Sequence, residues 1–176
     1  MKKIIYVIFA FLLFNSPAVA AKWEDSTKTE LQEAAAHWFH GYELKDANRV
    51  VATTPPGFMR YTAYKRQIIP LKIEAHLREE MQQRFDDIKS IKIDFDPEKI
   101  VYRKTSNDKL YALIPYNSHI VSIDNKTSDA KLVVIAFQVS GIWYFTDIQD
   151  PEAKDSLLTI YSYFKDADLT IPDSTQ

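Results

Sequence analysis

The sequence predicts an α+β domain in which N-terminal helices pack on an antiparallel sheet and a further helix follows the last strand. Apolar residues recur every three or four positions in residues 27–45 and again in residues 70–85, and from Ile88 the period changes to two. The helical half precedes the strand half, as expected when helices gather on one face of a sheet. The third observation is a hairpin, residues 131–149, that is apolar on both of its surfaces. We expect one domain over residues 21–165.

The first twenty residues have the pattern of a cleaved secretory signal. Lys2 and Lys3 precede an apolar run at residues 4–14, and small residues at 18–20 provide a peptidase site. The run is too short for a membrane anchor, since a spanning helix needs about 20 apolar residues. We therefore expect cleavage after Ala20 and a mature protein that is periplasmic or secreted, with no membrane contact.

Composition excludes several classes of function. The 176 residues include no cysteine, which rules out disulfides, thiol nucleophiles and thiolate metal sites. The net charge is −2, and the sequence has no basic cluster that indicates nucleic acid or a lipid surface. Only three glycines occur, and none lies in a phosphate-binding motif. His37 and His40 stand three apart without a further ligand, so we predict neither a metal nor a cofactor.

Two helices are predicted before the first prolines. Residues 27–45 form the first, with Thr27 as its cap and Glu30 at the capping-box spacing. Asp46 caps a short second helix over residues 47–52, which stops at the prolines that follow.

The next segment, residues 57–67, fits a short helix or an irregular strand, and helix is favoured. Pro70 begins a longer helix that ends near Phe85. Its apolar stripe consists of Ile73, Leu77, Met81 and Phe85.

The strand half begins at Ile88. Alternation predicts strands over residues 88–95, 100–104 and 110–123, the last of them bent near Pro115. A polar loop over residues 124–129 leads into the hairpin. A final helix is predicted over residues 152–165 and a flexible tail over residues 166–176.

The hairpin allows a prediction of strand register. Ser140 and Gly141 form a two-residue connection that suits a primed turn. One surface then pairs Val139 with Ile142, Phe137 with Tyr144 and Ile135 with Thr146, and the other pairs Gln138 with Trp143, Ala136 with Phe145 and Val134 with Asp147.

Two stretches of the chain resemble a known superfamily. EAAAHWFHGYELKDANRVVATTPPGFM is similar to the long helix, polar turn and short helix of the nuclear transport factor 2-like superfamily, and VSGIWYFTDI is similar to its final strand pair. The resemblance spans residues 27–149. It implies a cystatin-like cone, in which a curved sheet wraps around the first helix.

The resemblance also implies where a site would lie. Enzymes of the superfamily place an acid–base pair inside the cone, and the residues here that would line its mouth are Tyr42, Tyr61, Tyr64, His76, His119 and Asp147. The catalytic candidates are Asp147, His119 and His76, with Asp147 as a carboxylate base in an aromatic strand. The candidates for a pocket or an interface are Tyr42, Phe58, Tyr61, Tyr64, Trp143 and Phe145.

No recognisable catalytic motif surrounds these residues, so we predict first a non-enzymatic exported binding domain. An immunity protein against a periplasmic toxin is one version. A protein partner or a second copy would cover the outer sheet face, since the N-terminal helices cover only one apolar surface. The C-terminal helix is the other candidate for that role. The alternative function is a small-molecule carrier, or an isomerase- or dehydratase-type enzyme, with an open cone in which Asp147 meets a tyrosine or histidine.

Overall fold

The fold is described for residues 22–170 of a computed structural model. The predicted signal segment, residues 1–20, and the last part of the predicted tail, residues 171–176, lie outside the described residues. Helices come first, a strongly curled antiparallel sheet follows, and a C-terminal helix ends the domain. This is the predicted α+β arrangement. None of the helices within residues 22–170 has the length and apolar character needed to cross a membrane.

The first helix, α1, spans Asp25–Glu43 and begins earlier than predicted. Glu24 occupies the position before the helix and makes no side-chain cap, while Thr27 lies inside the first turn. The predicted capping box is therefore wrong. Backbone bonding begins at Lys28, whose N–H donates to the Glu24 carbonyl at 3.0 Å. The helix ends where Lys45 adopts a left-handed conformation, with φ of 54°.

Three more helices complete the N-terminal half. The second, α2, spans Ala47–Ala52, and the Asp46 side chain caps it as predicted. The third, α3, spans Pro56–Lys65, which confirms the helical interpretation of this segment. A 3-10 turn at Pro70–Lys72 leads into α4, Ile73–Asp86. Ala47, Val50 and Phe85 pack against Ile91, so α2 and α4 lie against the first strand.

The sheet has five strands. They are β1 (Ile88–Phe95), β2 (Val101–Lys104), β3 (Leu110–Ser122), β4 (Thr127–Val139) and β5 (Ile142–Asp147). Their order is β1-β3-β4-β5, and β2 pairs with the part of β3 that β1 leaves free. All pairs are antiparallel.

Strand β4 begins four residues before the predicted hairpin. Its pairing with β3 continues as far as Val121 opposite Thr127. Half of the predicted loop at residues 124–129 is therefore strand. The true connection is a tight turn in which Asn125 has a φ of 61°. Polar residues at 127–129 concealed the strand, because both sides of the sheet are exposed at this end and no apolar alternation is needed.

The β4–β5 hairpin has the predicted register at all six pairs, from Val139 opposite Ile142 to Val134 opposite Asp147. Ser140 and Gly141 have φ values of 53° and 81°, which are the two positive angles of a primed turn. The register follows from the turn, since a two-residue connection leaves no freedom for a slip of one residue.

The inner face of the sheet packs on α1. Leu31, Ala35, Trp38 and Phe39 lie against Ala112, Ile114, Val134, Ala136, Trp143 and Phe145. This is the arrangement in which a curved sheet wraps around the first helix.

The hairpin part of the outer face is covered by the C-terminal helix and the segment after it. Helix α5 spans Pro151–Ile160 and a 3-10 turn spans Ser162–Phe164, so the predicted helix over 152–165 is shorter and interrupted. Leu157 and Phe164 are fully buried against Leu113, Ile135 and Phe137. Of the two candidates for covering the hairpin, the C-terminal helix does so.

The described start of the predicted tail also contacts the sheet. The Tyr111 hydroxyl donates to the Asp168 carbonyl at 2.9 Å, and the Arg103 guanidinium donates to the Thr170 carbonyl at 3.1 Å. Ala167 and Leu169 pack against the outer core. The packed domain therefore extends at least to Thr170.

Candidate functional site

A cavity of about 390 Å³ lies between α1, the start of α3 and the inner face of the sheet. It is the interior of the cone, and it is not filled by the large side chains around it. Its walls are formed by Trp38, Phe39, Tyr42, Thr54, Pro55, Phe58, Ile91, Ile93, Tyr116, Ser118, Ile120, Leu132, Val134, Phe145, Thr146, Asp147 and Ala153.

Aromatic rings in mutual contact form one wall. The Trp38 indole stacks on Phe145 with ring centroids 5.0 Å apart and meets the Tyr42 ring edge-on at the same distance. Phe39 joins Trp38 to Tyr116, with a centroid distance of 4.8 Å to the tyrosine. Because each ring is held by its neighbours, the wall keeps its shape without a ligand.

Asp147 is the only carboxylate among the lining residues within 22–170. It is the last residue of β5, and its Oδ1 accepts the backbone N–H of Gln149 at 2.7 Å and of Asp150 at 3.4 Å. These bonds fix the direction of the carboxylate where the chain turns into α5. Oδ2 makes no hydrogen bond to the described part of the chain.

Two phenols share the cavity with this carboxylate. Burial raises the pKa of Tyr42 to about 12, and the negative charge of Asp147 adds to the shift while Arg84 opposes it. Burial likewise raises the pKa of Tyr116, helped by Tyr42 and Asp147. Both hydroxyls therefore stay protonated at neutral pH. The site combines two O–H groups with one carboxylate inside apolar walls.

The structure brings four of the predicted site residues together. Tyr42, Phe58, Phe145 and Asp147 all line the cavity, from α1, α3 and β5. Phe145 and Asp147 do so because residues two apart on a strand share a surface, and the structure shows that this surface of the hairpin is the inner one.

The two histidine candidates lie elsewhere. His119 is on the outer face, where its Nδ1 lies 2.6 Å from Asp129 Oδ1. It alternates with Ser118 and Ile120, which line the cavity, so the pleat directs it away. His76 lies on the exposed side of α4, and its Nε2 is 3.4 Å from Glu80. Neither histidine can act together with Asp147.

Three aromatic candidates also lie outside the cavity. Tyr61 lies on α3 with the Lys65 ammonium 4.9 Å from its ring centre, and Tyr64 is 83% exposed. Trp143 is on the inner face but at the turn end of the hairpin, where it stacks on Trp23 with centroids 5.8 Å apart. Trp23 and α1 fill the cone at that end, so the cavity does not extend to it.

Sequence reasoning missed Tyr116. The alternation that includes Ala112 and Ile114 continues through Pro115, so Tyr116 shares their surface. That alternation was visible in the sequence. What concealed it was the expected bend at proline, which leaves the inward or outward direction of the following residues undecided.

No group of three or more potential metal ligands occurs among residues 22–170. His37 and His40 are both exposed on α1, and His40 lies 3.6 Å from Glu43.

A second depression, of about 720 Å³, lies on the outer face of the sheet. It is shallow and lined mostly by charged and polar residues, and it occupies the part of the outer face that α5 leaves uncovered. We call it the outer polar patch. Its charged and polar side chains are Lys92, Asp94, Asn117, His119, Asp129 and Lys131.

No protein-family model matches the sequence, and no curated protein matches it. Among solved structures, the chain is similar to Aln2 from a Streptomyces species. The two are 16% identical, the match covers 69% of this chain and 87% of that one, and the TM-score is 0.44.

Proposed function

We propose that this chain is an exported small-molecule-binding domain of the nuclear transport factor 2-like type, with the cone cavity as its binding site. The observation that carries the proposal is the meeting of Asp147, Tyr42 and Tyr116 in one open, aromatic cavity. Export is inferred from the pattern of residues 1–20. The mass of the mature protein tests export, since the mature chain should begin at Ala21.

The cavity has the properties of a site for a small organic molecule. Its volume of about 390 Å³ is within the range of ligand pockets. Such pockets are mostly apolar and contain a few convergent polar groups, which here come from α1, β3 and β5. The apolar walls supply affinity, and the carboxylate and the phenols fix the orientation of the ligand.

The experiment is to block the cavity and measure binding. Ala153 lines the cavity from the first turn of α5, so Ala153→Phe places a ring in it. The matched control is Ala75→Phe, because Ala75 is exposed on α4. Ligand-observed NMR with a set of small aromatic compounds should show binding to the wild type and the control. Binding should be lost in Ala153→Phe.

The proposal is refuted if no compound binds the wild type, or if the blocked variant binds as well as the wild type. Thermal unfolding of both variants shows whether they are folded, so that a loss of binding is not mistaken for a loss of structure.

Catalysis on the bound molecule is a second candidate function. A carboxylate and protonated phenols in one cavity are the groups needed to move a proton to and from a carbonyl compound. Proton NMR of the compounds after incubation in D2O tests it, because a shifted proton changes the spectrum even where the mass of the compound does not change. Conversion by the wild type and its loss in Asp147→Asn would support catalysis, and unchanged compounds would refute it.

Binding to a protein partner or to a second copy of this chain is the third candidate function, and the outer polar patch favours it. On this patch Lys92, His119 and Asp129 form one cross-strand row, and Asp94, Asn117 and Lys131 form the next. Such alternating charges suit a polar interface. An immunity protein would use a surface of this kind. A pull-down from periplasmic extract in which Lys92→Glu with Lys131→Glu captures the same proteins as the wild type would refute it.

A further inference from the structure

We propose that the ligand of the cone cavity is a cation, namely an amine with an aromatic or alkyl body, and that Asp147 is its counter-ion. This inference rests on the proposed function and adds to it the chemical class of the ligand. The observations that carry it are the charges that line the cavity, the ring geometry of its wall and the hydrogen bonds of Asp147.

The charges that line the cavity disfavour an anionic ligand. Within residues 22–170 the cavity is lined by one carboxylate and by no lysine, arginine or histidine. Arg84 is close enough to affect the pKa of Tyr42, but it is exposed on α4 and does not line the cavity. An anionic ligand would lie beside Asp147 without a positive partner. Burying like charges together is costly, so the cavity disfavours carboxylates and phosphates.

The helix next to the cavity offers no free N-terminus to an anion. The N-terminus of α5 lies beside Asp147, and a free helix N-terminus attracts anions. This one is already capped, because Asp150 Oδ1 accepts the N–H groups of Glu152 at 2.8 Å and Ala153 at 3.4 Å. The cap removes the main device with which this end of the cavity would bind an anion.

The cavity contains oxygen acceptors that suit an ammonium group. An ammonium group has N–H donors and no acceptor, so it needs oxygen atoms with free lone pairs. Asp147 Oδ2 is one, because Oδ1 is occupied by the backbone N–H groups of Gln149 and Asp150. The protonated phenols of Tyr42 and Tyr116 are two more, since a neutral hydroxyl accepts as well as donates.

The aromatic wall of the cavity also suits a cation with an apolar body. Trp38 contacts Tyr42 and Phe145 with centroid distances of 5.0 Å, and Trp38 and Phe145 are nearly parallel. The π face of an aromatic ring is negative and attracts a cation, most strongly for tryptophan. The wall therefore packs against the apolar body of the ligand, and a ring face that the stack leaves open adds to the attraction by Asp147.

The experiment compares three probes that share a phenyl group and differ in charge. They are 2-phenylethylamine, 2-phenylethanol and 3-phenylpropionate, titrated calorimetrically into the full mature chain at pH 7. We expect the amine to bind about tenfold more tightly than the alcohol, because a charge-assisted hydrogen bond is stronger than a neutral one. The carboxylate should bind most weakly.

Two variants identify the counter-ion. Asp147→Asn removes the charge but keeps an oxygen that can accept the N–H groups of Gln149 and Asp150, so the turn is retained. This variant should bind the amine about tenfold more weakly and should bind the alcohol with unchanged affinity. Asp129→Asn is the matched control, because it removes the same charge from the outer polar patch. This control should change the affinity for neither the amine nor the alcohol.

The outcomes separate the two proposals. If the carboxylate or the alcohol binds as tightly as the amine, or if Asp147→Asn leaves amine binding intact, the charge preference is overturned and a binding cavity remains. If none of the three probes binds, the cavity is not a binding site for such molecules, and the proposed function fails together with the inference.

Discussion

Tyr42 is the side chain whose chemistry depends most on the cavity around it. Its ring is held between Trp38 and Phe85, and its pKa is raised to about 12, first by burial and then by Asp147. The unfolded chain loses this proton near pH 10, whereas the folded chain keeps it to about pH 12. Stability from this group is thus fully present below pH 10 and is lost as the pH rises through 12.

The first prediction is that Tyr42→Phe reduces the fall in the free energy of unfolding between pH 10 and 12. The fall is reduced and not abolished, because the pKa of Tyr116 is also raised. Urea unfolding at a series of alkaline pH values measures it. Tyr64→Phe is the control, since Tyr64 is 83% exposed. Equal alkaline losses in the wild type and Tyr42→Phe would contradict the burial of this phenol.

Gly57 is present because α3 and α5 approach closely. A Cβ atom at this position would lie 2.5 Å from Ile160 Cγ2 and 2.9 Å from the Tyr161 hydroxyl. We predict that Gly57→Ala lowers the free energy of unfolding by about 1–3 kcal/mol through overpacking. In Gly41→Ala the new atom meets only the flexible Arg49 side chain at 3.1 Å, and alanine favours the helix. That variant should be neutral or stabilising in the same urea titration.

Helix α2 shows how one polar side chain sets the bounds of an element. The Asp46 side chain accepts the N–H of Arg49 at 3.1 Å. This bond satisfies one of the free N–H donors in the first turn, which matters most in a helix of only six residues. Thr27 was the equivalent prediction for α1, yet α1 starts at Asp25 and has no side-chain cap. Packing of Leu31 and Ala35 against the sheet stabilises that longer helix instead.

The difference between Asp46, which caps α2, and Thr27, which lies inside α1, can be tested. Asp46→Ala should cost about 1 kcal/mol of stability, the usual effect of losing an N-cap. Thr27→Ala should change stability by less than about 0.5 kcal/mol, because Thr27 lies within the helix and caps nothing. Chemical unfolding of both variants measures the difference. A larger loss in Thr27→Ala than in Asp46→Ala would contradict the observed helix start.

The whole molecule depends on coverage of both sheet faces. Helix α1 covers the inner face, and α5 with the segment after it covers half of the outer face. The remaining half is the outer polar patch. The apolar hairpin therefore needs no second chain to exclude water, and any partner on the outer polar patch would meet charged side chains.

This arrangement predicts a strong effect at Leu157, which is fully buried between α5 and the outer face. Leu157→Ala should lower the free energy of unfolding by about 2–5 kcal/mol through loss of burial and the cavity left behind. Ile142→Ala is the control, because Ile142 is 57% exposed at the hairpin turn. Light scattering after size exclusion should also show self-association of the Leu157 variant, whose apolar strands become exposed more often. A monomeric variant of unchanged stability would refute this role of α5.

The sequence by itself determined the parts whose cause is local. The β4–β5 register follows from Ser140-Gly141 and from alternation on either side, and Asp46 caps α2 with atoms three residues away. Phe145 and Asp147 were placed on one surface for the same reason. Only the tertiary structure decided that the cone is open, that Tyr116 joins Asp147 in it, that His119 faces outward and that α5 covers the hairpin. These depend on contacts between residues far apart in the chain, where volumes and rings must fit together, and periodicity carries no information about that fit.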